Sequence, residues 1–296
     1  MDKEANALHI SQSAEMRARA SKEIAESENY RISTQMQAVK AWLETNAVLL
    51  HDELDRVAGH NFPGSTDWIT KSSKMKTWVD DTAGQSILWL VGKPGAGKSV
   101  VCSKVIQDLQ RDQQRATVFY LCNHFNYSNN ESSSLLRSIV SQMVHQNPDL
   151  VPYILDECVS SGLPSSASQL RRIIPTLLKG FTSIRIVVDG LDEIEDREQR
   201  QVLSDLISFA SSPLDPGSSC KILIASRDIP LISRSLSKRT VLSMGDDPQA
   251  FQGSVRPFVH HQLNELRDSL SDIEVDESTM QVIERRLVEK SDGKFC

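Results

Sequence analysis

Between residues 86 and 244 short apolar runs alternate with longer segments of helical periodicity. The runs are SILWLVG (86–92), TVFYLCN (117–123), SIRIVVD (183–189), CKILIAS (220–226) and TVLSM (240–244). Each reads as apolar on both faces, the pattern of a strand in a parallel sheet covered by helices on either side. Segments 99–113, 133–147, 168–180 and 197–210 lie between the runs and read as those helices. Strand alternating with helix over about 160 residues predicts a doubly wound α/β sheet, a three-layer αβα sandwich whose strands are mainly parallel.

The flanks differ. Residues 1–57 are polar and helix-favouring, and Gly59 is the first Gly or Pro of the chain. Within MQAVKAWLETNAVLLHDELDRVAG, residues Val39, Trp42, Leu43, Leu49, Leu50, Leu54 and Val57 recur at helical spacing, with Gly59 placed to end the helix. Residues 1–30 read as a solvated helix of alternating charge. HNFPGSTDW (60–68) reads as a loop and ITKSSKMKTWVDD as a short helix, while 249–270 and 277–290 read as two helices after the last strand. The expected organisation is an N-terminal helical segment (1–58), an approach segment (59–85), a nucleotide-binding core (86–246) and a C-terminal helical extension (247–296).

Composition narrows the class. With 39% hydrophobic and 24% charged residues the chain is ordinarily globular, and its net charge of −6 argues against a bulk grip on nucleic acid or anionic membrane. Its apolar runs fall far short of the roughly 20 residues a membrane span needs, and the N-terminus lacks a signal-peptide core. The five cysteines and seven histidines show neither paired nor zinc-ligand spacing, which predicts reduced, packed thiols and a cytoplasmic setting.

The chemistry sits at the ends of the apolar runs. GKPGAGKS (92–99) matches G-x-x-x-x-G-K-[ST] at every fixed position. Chance produces that pattern about once in a hundred chains of this size, and here it lies between a strand and a helix, as its mechanism requires. Gly92, Lys93, Pro94, Gly95, Ala96, Gly97 and the start of the helix through Val100 are expected to wrap backbone N–H groups around a phosphate chain. Lys98 is expected to reach the β- and γ-phosphates and the Ser99 hydroxyl to bind Mg²⁺. IVVDGLDEIED (186–196) then explains itself: Asp189, at the carboxyl end of its strand, faces the same crevice and the same Mg²⁺. Gly190 keeps the backbone close. Asp192 and Glu193 are candidates to orient or deprotonate the attacking water, Glu193 foremost. Glu195 and Asp196 suit the first turn of a helix. In KILIASRD, Ser226 and Arg227 stand where a γ-phosphate sensor would, against the alternative of an Arg paired with a carboxylate. His124, in NHFNYSNNE (123–131), reads as a loop hydrogen-bonder.

ILWLVGKPGAGKS, VVDGLDE and ILIASRD together resemble the NACHT domains of STAND-class signalling ATPases, and most of all the nephrocystin-type N-terminal module of fungal receptor-like proteins. SSLLRSIVSQMVHQNPDL, STDWITKSSKMKTWVDD, VRPFVHHQL and KSDGKF resemble flanking segments of that family. The resemblance runs from about residue 40 to the C-terminus. It implies ATP, or in some members GTP, bound with Mg²⁺, slow hydrolysis, and a switch between closed and homo-oligomerising forms in innate-immunity-like or self/non-self recognition. It also implies a winged-helix-like region and repeats downstream, for which a chain ending at Cys296 has no room. A fragment, a truncated product and a stand-alone module all fit that departure, and residues 1–30 match no effector domain. Two rival readings stand beside the switch: a non-catalytic nucleotide-binding scaffold, and a metabolic P-loop kinase whose lid would have to be SRSLSKRT (233–240).

Overall fold

The computed structural model describes residues 22, 27–28, 30–45, 47–80, 85–112, 114–122, 131–269 and 277–290. Five strands, β1 (Ile87–Val91), β2 (Ala116–Leu121), β3 (Ser183–Asp189), β4 (Ser219–Ser226) and β5 (Thr240–Ser243), form one parallel sheet in the order β2-β3-β4-β1-β5. Every predicted strand is present within a few residues of its expected ends.

Helices cover both faces, each face having its own apolar layer. One layer joins alternate strand residues such as Trp89, Tyr120, Ile186 and Ile224 to α1 (residues 30–43), α6 (Glu131–Gln146), α7 (Val151–Ile154), α8 (Ala167–Leu178), α9 (Asp196–Ala210) and α10 (Pro230–Leu236). The other joins Leu88, Phe119, Val187 and Leu223 to α2 (Ala47–Ala58), α3 (Asp67–Thr70), α4 (Ser73–Val79) and α5 (Lys98–Arg111). The period-two alternation of a strand sends neighbouring side chains to opposite layers, which makes the molecule a three-layer αβα sandwich.

The periodicity predicted a single helix from Met36 to Gly59, and the structure breaks it. Helix α1 ends at Leu43, Glu44 takes φ 51, and α2 starts at Ala47. Val39 and Leu43 belong to the first layer and Leu54 to the second, so the chain must turn around the β2 edge between them. Leu49, expected on the apolar face, is 63% exposed for the same reason.

A second correction concerns the strands read as wholly apolar. Arg185 of β3 and Lys221 of β4 are paired in register and buried in the layer of α4. Arg185 Nη2 donates to Val79 O at 2.7 Å with its guanidinium carbon 5.9 Å from the Trp78 ring centroid, and Lys221 Nζ donates to Thr77 O and Asp80 O. The C-terminal carbonyls of a helix are left without intrahelical donors and carry partial negative charge, so two buried cations there satisfy both parties.

The β2 edge is closed by side chains. Gln142 accepts from Phe119 N at 3.0 Å and donates to Phe119 O at 2.7 Å; Gln146 does the same for Thr117 at 2.8 and 2.6 Å. Four residues of helix rise about 6 Å and two of strand about 6.6 Å, so glutamines at i and i+4 match alternate residues of an edge strand. The unpaired backbone that exposed edges offer to other chains is thereby occupied.

The described cysteines, Cys102, Cys122, Cys158 and Cys220, are free and buried, and no described helix is long and apolar enough to cross a membrane. Helices α11 (Pro248–Ser269) and α12 (Glu277–Lys290) complete the chain, joined by His260 and Glu284 at 3.0 Å. His124 and the surrounding 123–130 lie outside the described residues, as do most of 1–29.

Gln142→Leu keeps the volume but leaves Phe119 N–H and C=O without their partners. It is expected to lower unfolding free energy by roughly 1–3 kcal/mol, whereas the exposed Leu49→Ala should stay within about 0.5 kcal/mol. Urea titrations of both variants check this.

Candidate functional site

Strand β1 delivers the chain to the loop at Gly92, whose N–H donates to Ser226 O at 3.3 Å. Gly97 caps α5 with φ 83, a left-handed conformation that side chains with a Cβ rarely adopt. This turn aims the first amides of a fourteen-residue helix, and the positive end of its dipole, back into the loop. Lys98 is folded over the loop and donates to Gly92 O at 3.0 Å and Lys93 O at 3.1 Å.

Asp189 ends β3, a strand buried at every position, and is itself 6% exposed. Burial pushes its carboxyl up from the ordinary aspartate range, while a hydrogen bond from Ser99 and the charge of Lys98 pull the other way. Among the described residues, Oδ1 of this carboxylate has no hydrogen-bond partner. A buried acceptor left open costs roughly 1–3 kcal/mol unless something occupies it. A hard divalent cation is suited to that place, since carboxylate and hydroxyl oxygens are what Mg²⁺ takes; the residues present fit the ion.

Beyond Asp189 the chain turns at once. Gly190 has φ 74, and a Cβ there would stand 2.9 Å from Cys122 O. A 3-10 turn follows (Leu191–Glu193), pinned by Glu193 N–H to Gly190 O at 2.8 Å. The two acidic residues of the turn diverge. Glu193 is exposed and lines the cavity. Asp192 also lines it, but its side chain is 4% exposed and both oxygens are engaged by Arg227: Oδ1 accepts the Arg227 backbone N–H at 2.8 Å and Oδ2 accepts from Nε.

Together these groups wall a cavity of about 1030 Å³. Pro94 through Val100, Asp189, Asp192, Glu193 and Arg227 all line it, so stretches more than 90 positions apart share one opening. Gly92 and Lys93 do not; they line a neighbouring cavity of about 630 Å³ that also touches Arg227. Ser226, read beside Arg227 as a phosphate contact, is fully buried: it accepts from Trp89 Nε1 at 2.8 Å and donates to Arg227 O at 3.0 Å. Its side chain points to the other face of the strand, which alternation in β4 dictates.

The other end of the cavity was not legible as a site. Phe62 and Trp68, from the segment read as a plain loop, meet Phe258 and His261 of α11 there. Phe62 stands edge-on to Phe258 at 6.1 Å and tilted against His261 at 5.3 Å. These residues lie almost 200 positions apart and carry no shared spacing; an aromatic inside a Pro-Gly loop was the only available signal.

Fold and loop define the class: a P-loop NTPase sandwich with its nucleotide-binding loop after β1. The family model described as nephrocystin 3, N-terminal, matches residues 64–227, more than half of the chain, and the chain belongs to that family. It is 24% identical over 230 residues, 73% of its length, to the vegetative incompatibility protein HET-E-1 of Podospora anserina, and spans 16% of that protein. Among solved structures it is similar to a Walker-type ATPase of Pyrococcus abyssi (13% identity, 79% of this chain and 63% of that one, TM-score 0.43). A second is the Aeropyrum pernix ORC2 protein in its ADP form (13%, 79% and 72%, TM-score 0.40).

An aspartate held above its unfolded value of about 3.8 binds its proton more tightly in the folded chain than in the unfolded one. Stability of the ligand-free protein therefore falls as pH rises from that value through the raised one, and the loss persists above it. Asp189→Asn removes that ionisation and is expected to melt no lower than the parent at pH 7 without ligand. Thermal scans from pH 4 to 7 test this; a variant clearly less stable than the parent at pH 7 contradicts it.

Proposed function

We propose that this chain is the nucleotide-binding module of a NACHT-type switch, taking ATP, or GTP, with Mg²⁺ and hydrolysing it slowly. The observation that carries the reading is the buried Asp189 carboxylate, with one oxygen open and the other group's partners, Ser99 and Lys98, belonging to the P-loop. A Gly-rich turn with no ligand has no use for a desolvated anion at that point.

The backbone amides from Gly95 to Val100 take the α- and β-phosphates, with Gly92, Lys93 and Pro94 shaping the loop. Lys98 leaves the Gly92 and Lys93 carbonyls and pairs with the β- and γ-phosphates. Ser99 and Asp189 hold Mg²⁺, which when bound neutralises charge between the β- and γ-phosphate oxygens. Glu193, exposed at the rim, positions the attacking water and accepts its proton. Arg227 meets the γ-phosphate, and the aromatic end formed by Phe62, Phe258 and His261 takes the base.

Residues 86–246 form the nucleotide core in this reading, 59–85 closes the base end, 247–296 lies over it, and 1–58 braces the β2 edge. Because α11 contributes directly to the cavity wall, nucleotide occupancy is positioned to set how the C-terminal helices sit, and through them assembly with other copies. HET-E-1, named for vegetative incompatibility, supports a self/non-self setting.

Calorimetric titration with Mg-ATP, Mg-GTP and their diphosphates tests the reading; absence of binding by every triphosphate defeats it. Lys98→Ala is expected to weaken the triphosphate about 10- to 100-fold, the worth of a charged hydrogen-bonding group. Glu193→Gln should bind as the parent does while turnover, measured as phosphate release, drops about 100-fold or more.

A further inference from the structure

The two carboxylates of the Leu191–Glu193 turn are equivalent in sequence and unlike in the fold. A group that takes a proton from water needs a lone pair facing that water. Asp192 has none to spare: one oxygen holds the Arg227 main chain at 2.8 Å and the other holds Nε of its side chain. The Asp192 side chain is 4% exposed, while Arg227 remains 43% exposed at the border of the two cavities. The turn is braced from behind by Gln199, 2% exposed, whose amide donates to Ile194 O at 2.6 Å. One carboxylate thus fixes both the backbone and the root of the guanidinium, leaving the two Nη groups of the fork to meet an anion. Held in advance, the arginine gives up little further freedom when that anion arrives.

We propose that Asp192 is a positioning residue that presents Arg227 to the terminal phosphate, and that Glu193 alone of the pair meets the water. The inference rests on the nucleotide reading above. Its signature is discrimination between tri- and diphosphate, which water activation does not control.

The measurement is the ratio of Mg-diphosphate to Mg-triphosphate dissociation constants, with whichever of ATP and GTP binds more tightly. Arg227→Ala should lower the parent's ratio about tenfold. Asp192→Asn should lower it as far, and the double variant no further, because both changes remove one unit. Glu193→Gln should leave the ratio unchanged. If Asp192→Asn fails to fold, Asp192→Glu, which keeps the charge but displaces the arginine, is expected to show the same loss. A ratio preserved in the folded Asp192 variant overturns the inference, above all if turnover is lost, since Asp192 would then act on water. A ratio preserved in Arg227→Ala overturns it equally. A parent chain that binds neither triphosphate removes the nucleotide reading and this inference together, whereas a parent that discriminates while the Asp192 variant still does so removes the inference only.

Discussion

The desolvated carboxylate of Asp189 governs this structure more than any other group. Six buried residues precede it along β3, so the strand carries a titratable oxygen pair into the one place in the sheet where water cannot solvate it. Burial alone would drive the group to its neutral form. It is opposed by Ser99 and Lys98, which belong to a loop on β1, a strand separated from β3 by β4. The contact therefore exists only when the sheet has assembled in the order β2-β3-β4-β1-β5, with its carboxyl ends level.

Much of the remaining architecture serves that alignment. Cys122 N–H donates to Asp189 O at 2.9 Å, so the edge strand β2 fixes the end of β3. The edge is in turn fixed by Gln142 and Gln146 of α6, which take the hydrogen bonds a further strand would have taken. At the opposite end of the strands Arg185 and Lys221 tie β3 and β4 to the last carbonyls of α4. Those cations lie on the same face as Asp189 but at the other end of the sheet. Charge is thus admitted to this interior where a helix terminus or a phosphate-binding loop can answer it.

The cavity joins two chemistries that the chain keeps apart. Its loop end offers backbone amides, a lysine and carboxylates; its far end offers aromatic rings from the segment before β1 and from α11. Such a division suits a molecule that is anionic at one end and flat at the other. It also means that the pocket is complete only with α11 in place, which links ligand occupancy to the part of the chain furthest from the phosphate loop in sequence.

The regular elements were legible because burial on both faces writes itself as unbroken apolar runs, and the loop at 92–99 because its mechanism demands glycines, a lysine and a hydroxyl at set spacings. Asp189 could be placed for the same reason, as a charge ending a strand with no other use for it. Side-chain partnerships were not legible. That Asp192 belongs to Arg227, that Ser226 turns inward, that Arg185 and Lys221 are buried, and that the helix from Met36 must break at Glu44 all depend on which strands are neighbours and which face each residue takes. The aromatic end of the cavity is of this kind too: Phe62 and His261 meet only because α11 packs back across the crevice. Local pattern determined the elements and the phosphate loop, since those follow from spacing along the chain. Tertiary packing decided which charged groups face the ligand and which face one another, because that choice is made by neighbours distant in sequence.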